Sequence, residues 1–130
     1  MLVDVQLTNY DDLIAAEHGW LTPDEVRHVS TQASVDKKNS YLALPEDIVE
    51  KLGMRIVDRP KVLCSDGARR PRAEYVYLEL LGRHGVFNAT VRPKGETAVV
   101  GTIVLNELDL VDDQNGLAPP DPDYVVVEIE

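Results

Sequence analysis

Val35-Asp36-Lys37-Lys38-Asn39-Ser40-Tyr41-Leu42-Ala43-Leu44-Pro45-Glu46-Asp47-Ile48-Val49-Glu50-Lys51-Leu52-Gly53 is the stretch on which the fold turns. It leaves a β-branched residue, crosses five polar residues and Tyr41, and enters the apolar run Leu42-Ala43-Leu44 before Pro45. Pro45 suits the first position of a helix, where a missing N–H costs nothing, and Glu46 and Asp47 complement the positive end of the dipole. Ile48, Val49 and Leu52 share one helical face, Asp47 and Lys51 are spaced to pair at i,i+4, and Gly53 supplies a left-handed stop. The pattern predicts one short helix ending at Gly53, preceded by a polar loop headed by Asp36.

On the N-terminal side, Leu2 to Thr8 alternates apolar and polar residues, as a half-buried strand does. Asn9 to Asp12 turns the chain, with Asp11 or Asp12 placed to cap a helical turn over Leu13 to Ala16 that Gly19 ends. Thr22-Pro23-Asp24 is a further break; Glu25 to Val29 can return to a sheet, and Ser30 to Val35 reads as extended.

On the C-terminal side short strands dominate. Lys61 to Cys64 runs into Ser65-Asp66-Gly67, a hairpin-type turn, and Ala73 to Leu81 is a long strand rich in Tyr, Val and Leu. Gly82 to Gly85 turns, Val86 to Arg92 returns, and Pro93 to Glu96 turns again. Thr97 to Val100 is a short apolar strand before Gly101, and Thr102 to Leu108 fits a second helix. Leu110-Val111 is extended, Asp112 to Gly116 turns, and Pro119, Pro120 and Pro122 stiffen a connector to a last β segment, Tyr124 to Ile129. Many short strands with two short helices imply an all-β barrel.

Composition narrows the function classes. The 130 residues fit a single domain, 1–130, whose length can bury a core without staples. The net charge of −10 argues against a nucleic-acid partner and against an anionic membrane surface. Neither a leader-like N-terminal segment nor a spanning apolar run is legible, and the lone Cys64 can form no internal bridge, so a reducing, cytoplasmic setting is expected. The Asn88-Ala89-Thr90 sequon is then accidental. His18, His28 and His84 are scattered without ligand spacing, so neither a metal nor a cofactor is expected. Cys64 reads as a small packed hydrophobe rather than a nucleophile. Arg69, Arg70 and Arg72 form the one basic cluster, either a solvated strand face or a grip on an acidic peptide.

Four pieces, in order and spacing, resemble the retropepsin-like (retroviral-type) aspartic proteases, including their short bacterial members. The first is Val35 to Gly53, against V-D-T-G-A-[ST]-x-x-x-L-P followed by a helix ending in L-G. The second is Val62-Leu63-Cys64-Ser65-Asp66-Gly67, which looks like the flap hairpin with its Asp-Gly tip. The third is Tyr77-Leu78-Glu79-Leu80-Leu81-Gly82-Arg83, like the strand after the flap. The fourth is Ala98-Val99-Val100-Gly101 with Leu108-Asp109-Leu110, like the apolar-apolar-Gly loop and the C-terminal helix. The likeness covers residues 26–118. It implies an acid-protease barrel in which one subunit is half of a two-fold homodimer. It also implies Asp36 as the catalytic position, with Ser65, Asp66 and Gly67 at the flap tip and Val100 and Gly101 among the substrate-binding positions.

The chain departs from the family where chemistry occurs: Asp-Thr-Gly has become Asp36-Lys37-Lys38, followed by Asn39. In the family, two such aspartates, one per subunit, share a proton because adjacent carboxylates cannot both ionise cheaply. One acts as base on a water and the other as acid toward the peptide carbonyl. A lysine has donors but no acceptor, so Lys37 cannot replace a threonine hydroxyl that does both, and Lys38 adds a long cation where the family has no side chain. The expectation is a catalytically impaired homologue, a pseudoenzyme that binds peptide or protein in a dimer cleft. Two alternatives stay open: an active homodimeric aspartic endopeptidase (a hydrolase using Asp36 from each chain), and a plain dimerisation scaffold.

Overall fold

The computed structural model describes residues 1–64, 66–113 and 116–118. The strands are β1 (Leu2–Asn9), β2 (His28–Val35), β3 (Leu42–Pro45), β4 (Arg55–Leu63), β5 (Arg69–Leu80), β6 (Arg83–Arg92), β7 (Ala98–Val100), β8 (Val111–Asp113) and β9 (Gly116–Ala118). The helices are α1 (Tyr10–Glu17), α2 (Glu46–Leu52) and α3 (Thr102–Glu107), with a 3-10 turn at Pro23–Glu25. Three α-helices therefore stand among the described residues where two were expected. The acidic turn after β1 grows into a full helix because Asn9, not Asp11 or Asp12, caps it: its side chain accepts the Asp12 N–H at 2.9 Å.

Six strands close a ring in the order β1-β2-β7-β3-β6-β5 and back to β1, and β4 pairs outside it with the first half of β5. Two of the contacts are parallel, β2 with β7 and β3 with β6. Closure removes the edges an open sheet would expose. Val5 and Leu7 of β1, Val76, Leu78 and Leu80 of β5, and Val100 of β7 turn into the core, which Val49 and Leu52 of α2 and Val104 of α3 complete. All four residues of β3 are buried, as a strand covered on both faces requires. Burying each such Leu or Val contributes on the order of 1.5–3 kcal/mol.

Pro45 ends β3 and stands at the N-cap of α2, one position before its expected place, and Gly53 closes the helix at φ 64°. The turn expected over Gly82 to Gly85 is tighter: Leu81 and Gly82 both take positive φ, at 52° and 77°, and pairing resumes at Leu80↔Arg83. Two successive left-handed residues match the strand twist, so β5 and β6 need only a two-residue loop.

β5 changes partners midway. Arg69 to Glu74 pairs with β4, whereas Val76 to Glu79 pairs with β1. Between them Tyr75 takes φ 66°, where the β5–β6 register also shifts. Before Tyr75, β5 still pairs with β6 at Arg72↔Thr90 and Ala73↔Ala89, so the β4–β5 hairpin leaves the ring only beyond Arg72, toward Arg69 and Leu63. No helix among the described residues is long and apolar enough to cross a membrane. The connector at Pro119, Pro120 and Pro122 and the segment Tyr124 to Ile129 lie outside the described residues.

Candidate functional site

The polar loop at Asp36 is set by what lies beneath it. β2 and β7 run parallel as far as Val35↔Val100, and the Asp36 N–H donates to Val100 O at 3.1 Å. Past that point Gly101 opens α3, and the N–H groups of Thr102 and Ile103 donate to Asn39 O and Ser40 O, both at 2.9 Å. The loop carbonyls thus satisfy helix donors that have no partner within the helix. Gly101 is required sterically: a Cβ there would lie 2.5 Å from Tyr41 O and 2.6 Å from Asn39 O.

Within the loop, Asn39 N–H donates to Asp36 O at 3.2 Å, closing a turn. The carboxylate then reaches forward along its own chain. Its Oδ1 accepts from Lys38 N–H at 2.9 Å and its Oδ2 from Asn39 Nδ2 at 3.0 Å. Asp residues close turns in this way because the short side chain mimics a backbone carbonyl. Asp36 is half-buried, and Lys37 and Lys38 are exposed.

Opposite stands the β4–β5 hairpin. Cys64 N–H donates to Ala68 O at 2.8 Å, Gly67 N–H to Cys64 O at 2.9 Å, and Ala68 N–H to Asp66 Oδ1 at 2.9 Å, with Gly67 at φ 85°. Asp66 also accepts from Arg70 Nη2 at 3.0 Å, and these donors, the Ala68 N–H first, lower its pKa below the ordinary aspartate value.

Between loop and hairpin lies a groove of about 530 Å³. Asp36, Lys38 and Asn39 form one wall, Cys64, Asp66 and Arg70 the other, and Thr90, Arg92 and Val99 contribute from the barrel. Two segments far apart in sequence, both singled out above, thus meet across one cavity. Val100 is fully buried and acts on the site from below, as acceptor for Asp36, while Gly101 supports Asn39 and Tyr41. Ser65 lies outside the described residues.

Sequence reading missed Ser40, Tyr41, Thr90 and Arg92 in this lining. For Thr90 and Arg92 a signal existed, since alternation along β6 puts both on one face; which face meets a cavity is fixed only by the partner strands. Cys64 differs from its expected place in the core: it is half-buried in the groove wall. It stands one residue beyond β4, in the hairpin turn, where its backbone bonds Ala68 and Gly67. Among the described residues no group of three or more His, Cys, Asp or Glu side chains is placed to hold a metal ion.

This barrel, with the tip of its β4–β5 hairpin across a groove from an aspartate loop, is a retropepsin-like fold. Among solved structures the chain is similar to the retroviral protease-like domain of Ddi1 from Leishmania major, with a TM-score of 0.53 over 93% of this chain and 90% of that one. At 14% identity the likeness carries the fold alone. No protein-family model matches the chain, and no curated relative matches it.

Proposed function

We propose that residues 1–130 form a single non-catalytic retropepsin-like module, acting as a two-fold homodimer, that binds an extended peptide in the groove under the β4–β5 hairpin. The observation that carries this reading is the Asp36 loop itself. Both carboxylate oxygens are engaged by donors two and three residues along the chain, and Lys38 lines the groove beside them. Proton sharing between two such carboxylates needs close approach and a site free of fixed positive charge. Each copy of the loop would also bring the long side chain of Lys38 to the shared cleft. What remains is a cavity walled by a strand hairpin, a shape suited to strand-like peptides whose main chain supplies the hydrogen bonds.

The test compares this chain with the variant Lys37→Thr/Lys38→Gly/Asn39→Ala in a peptidase assay on denatured casein between about pH 3 and pH 7, the range in which paired carboxylates work. Cleavage by the variant alone supports a disabled protease with an intact groove. Cleavage by the unaltered chain, abolished in Asp36→Ala, overturns the reading in favour of an active endopeptidase. Absence of both cleavage and saturable peptide binding leaves a dimerisation scaffold.

A further inference from the structure

The groove is electrostatically unlike the rest of the molecule. The chain carries −10, yet the charged residues lining the groove are three cations, Lys38, Arg70 and Arg92, and two carboxylates, Asp36 and Asp66. Arg70 and Arg92 are held rather than waving in solvent, their side chains 19% and 28% exposed. Arg70 is oriented by Asp66; Arg92 is oriented by Glu96 at 3.0 Å and by Thr97 O at 2.6 Å. A guanidinium has five N–H donors, more than these bonds draw on. The orienting acids are themselves well exposed, Asp66 at 58% and Glu96 at 41%, so their pairs are weak and open to competition.

A further cation lies beside the groove without lining it. Arg72 stands two residues along β5 from Arg70, on the same face by strand alternation, and its register partner is Thr90 of the groove. Its Nε is buried with no hydrogen-bond partner among the described residues. A desolvated donor on a cationic side chain is costly until an acceptor arrives.

We infer that the groove selects acidic peptide segments, with Asp or Glu carboxylates of the ligand seated against Arg70 and Arg92 and facing Lys38 across the cavity. This rests on the groove being a peptide site. The planar fork of arginine pairs with a carboxylate through two parallel bonds, which gives position as well as charge. The overall field of the protein opposes such a ligand, so a preference for acidic peptides can arise only from local contacts.

The experiment uses the full chain, immobilised, and a degenerate octapeptide pool whose central positions are drawn equally from Ala, Val, Leu, Thr, Glu and Lys. Retained peptides are sequenced by mass spectrometry at low and high salt. The inference expects Glu to exceed Lys by about fivefold or more at one or two positions, the size of a well-formed charge contact. It expects that excess to vanish in Arg70→Gln/Arg92→Gln and to persist in Arg70→Lys/Arg92→Lys, which keeps the charge and controls for misfolding. Retention of peptides without a Glu excess overturns this inference and leaves the peptide groove standing. A Glu excess unchanged in the Gln double variant places the acidic contact elsewhere and overturns it too. Retention of no peptide overturns both readings.

Discussion

Two aspartates in this barrel are treated in opposite ways. Asp12 of α1 is buried and held by a single distant arginine. Arg27 donates to it from its backbone N–H at 3.0 Å, from Nε at 2.8 Å and from Nη2 at 3.0 Å. The same arginine lies over Gly53, where a Cβ would come within 1.8 Å of its Nη1. Asn9, which caps α1, donates to Leu52 O at 2.7 Å. This cluster therefore ties β1, α1, the entry to β2 and the end of α2 together. The Asp36 carboxylate, by contrast, accepts from Lys38 and Asn39 of its own loop and faces a cavity. Long-range bonds make a carboxylate part of the frame; short-range bonds leave it shaped but available to a ligand.

The contrast can be broken at three points. The largest effect is expected at the base of the Asp36 loop. Gly101→Ala forces a methyl against two backbone carbonyls that cannot turn aside, and should destabilise the fold by about 3 kcal/mol. A denaturant titration reads this directly, and a wild-type midpoint would show that the loop can slide off α3.

Next comes Asp12→Ala, which removes a charge-assisted bidentate pair from a buried site but leaves Arg27 half in solvent. The expected loss is about 2 kcal/mol. The pair also predicts a pH dependence. Arg27 hydrogen bonding lowers the Asp12 pKa below its ordinary 3.8 in the folded state. The stability it contributes is thus complete above about pH 4 and is lost as pH falls through the lowered value. Thermal melts across the acid range should show a shallower acid limb in Asp12→Ala than in the unaltered chain; parallel limbs would mean that Asp12 is not linked to folding.

The smallest effect is expected at Asp36→Ala. Two local bonds at a half-exposed turn contribute under about 1 kcal/mol together, so the melting temperature should barely move. A loss as large as that of Asp12→Ala would make Asp36 a frame residue and remove the distinction drawn here.

Much of this was legible in the chain because the signals are local. Gly53 at a helix end, the Asp66-Gly67 tip, the alternation of Leu2 to Thr8 and the apolar-apolar-Gly run at Val99-Val100-Gly101 each specify their own backbone within a few residues. The short-range bonds of Asp36 belong to the same class. The misses are of another kind. Asn9 caps the helix while Asp12 is held by Arg27, fifteen residues away, and Asp11 pairs with Arg55. The two-residue turn at Leu81-Gly82 is fixed by the pairing of β5 with β6. Cys64 lies outside the core because the chain there has left β4 for the hairpin turn.

The sequence by itself therefore determined the run of short strands, the α2 and α3 helices and the presence of Lys37-Lys38 after Asp36 where Asp-Thr-Gly was sought, since these follow from residue type at fixed spacing. Only the tertiary structure decided that Lys38, Arg70 and Arg92 share one cavity and that Asp12 joins the frame. Alternation says which residues share a face of a strand, but which face meets a cavity depends on how the ring closes, and that is set by contacts between residues far apart in the chain.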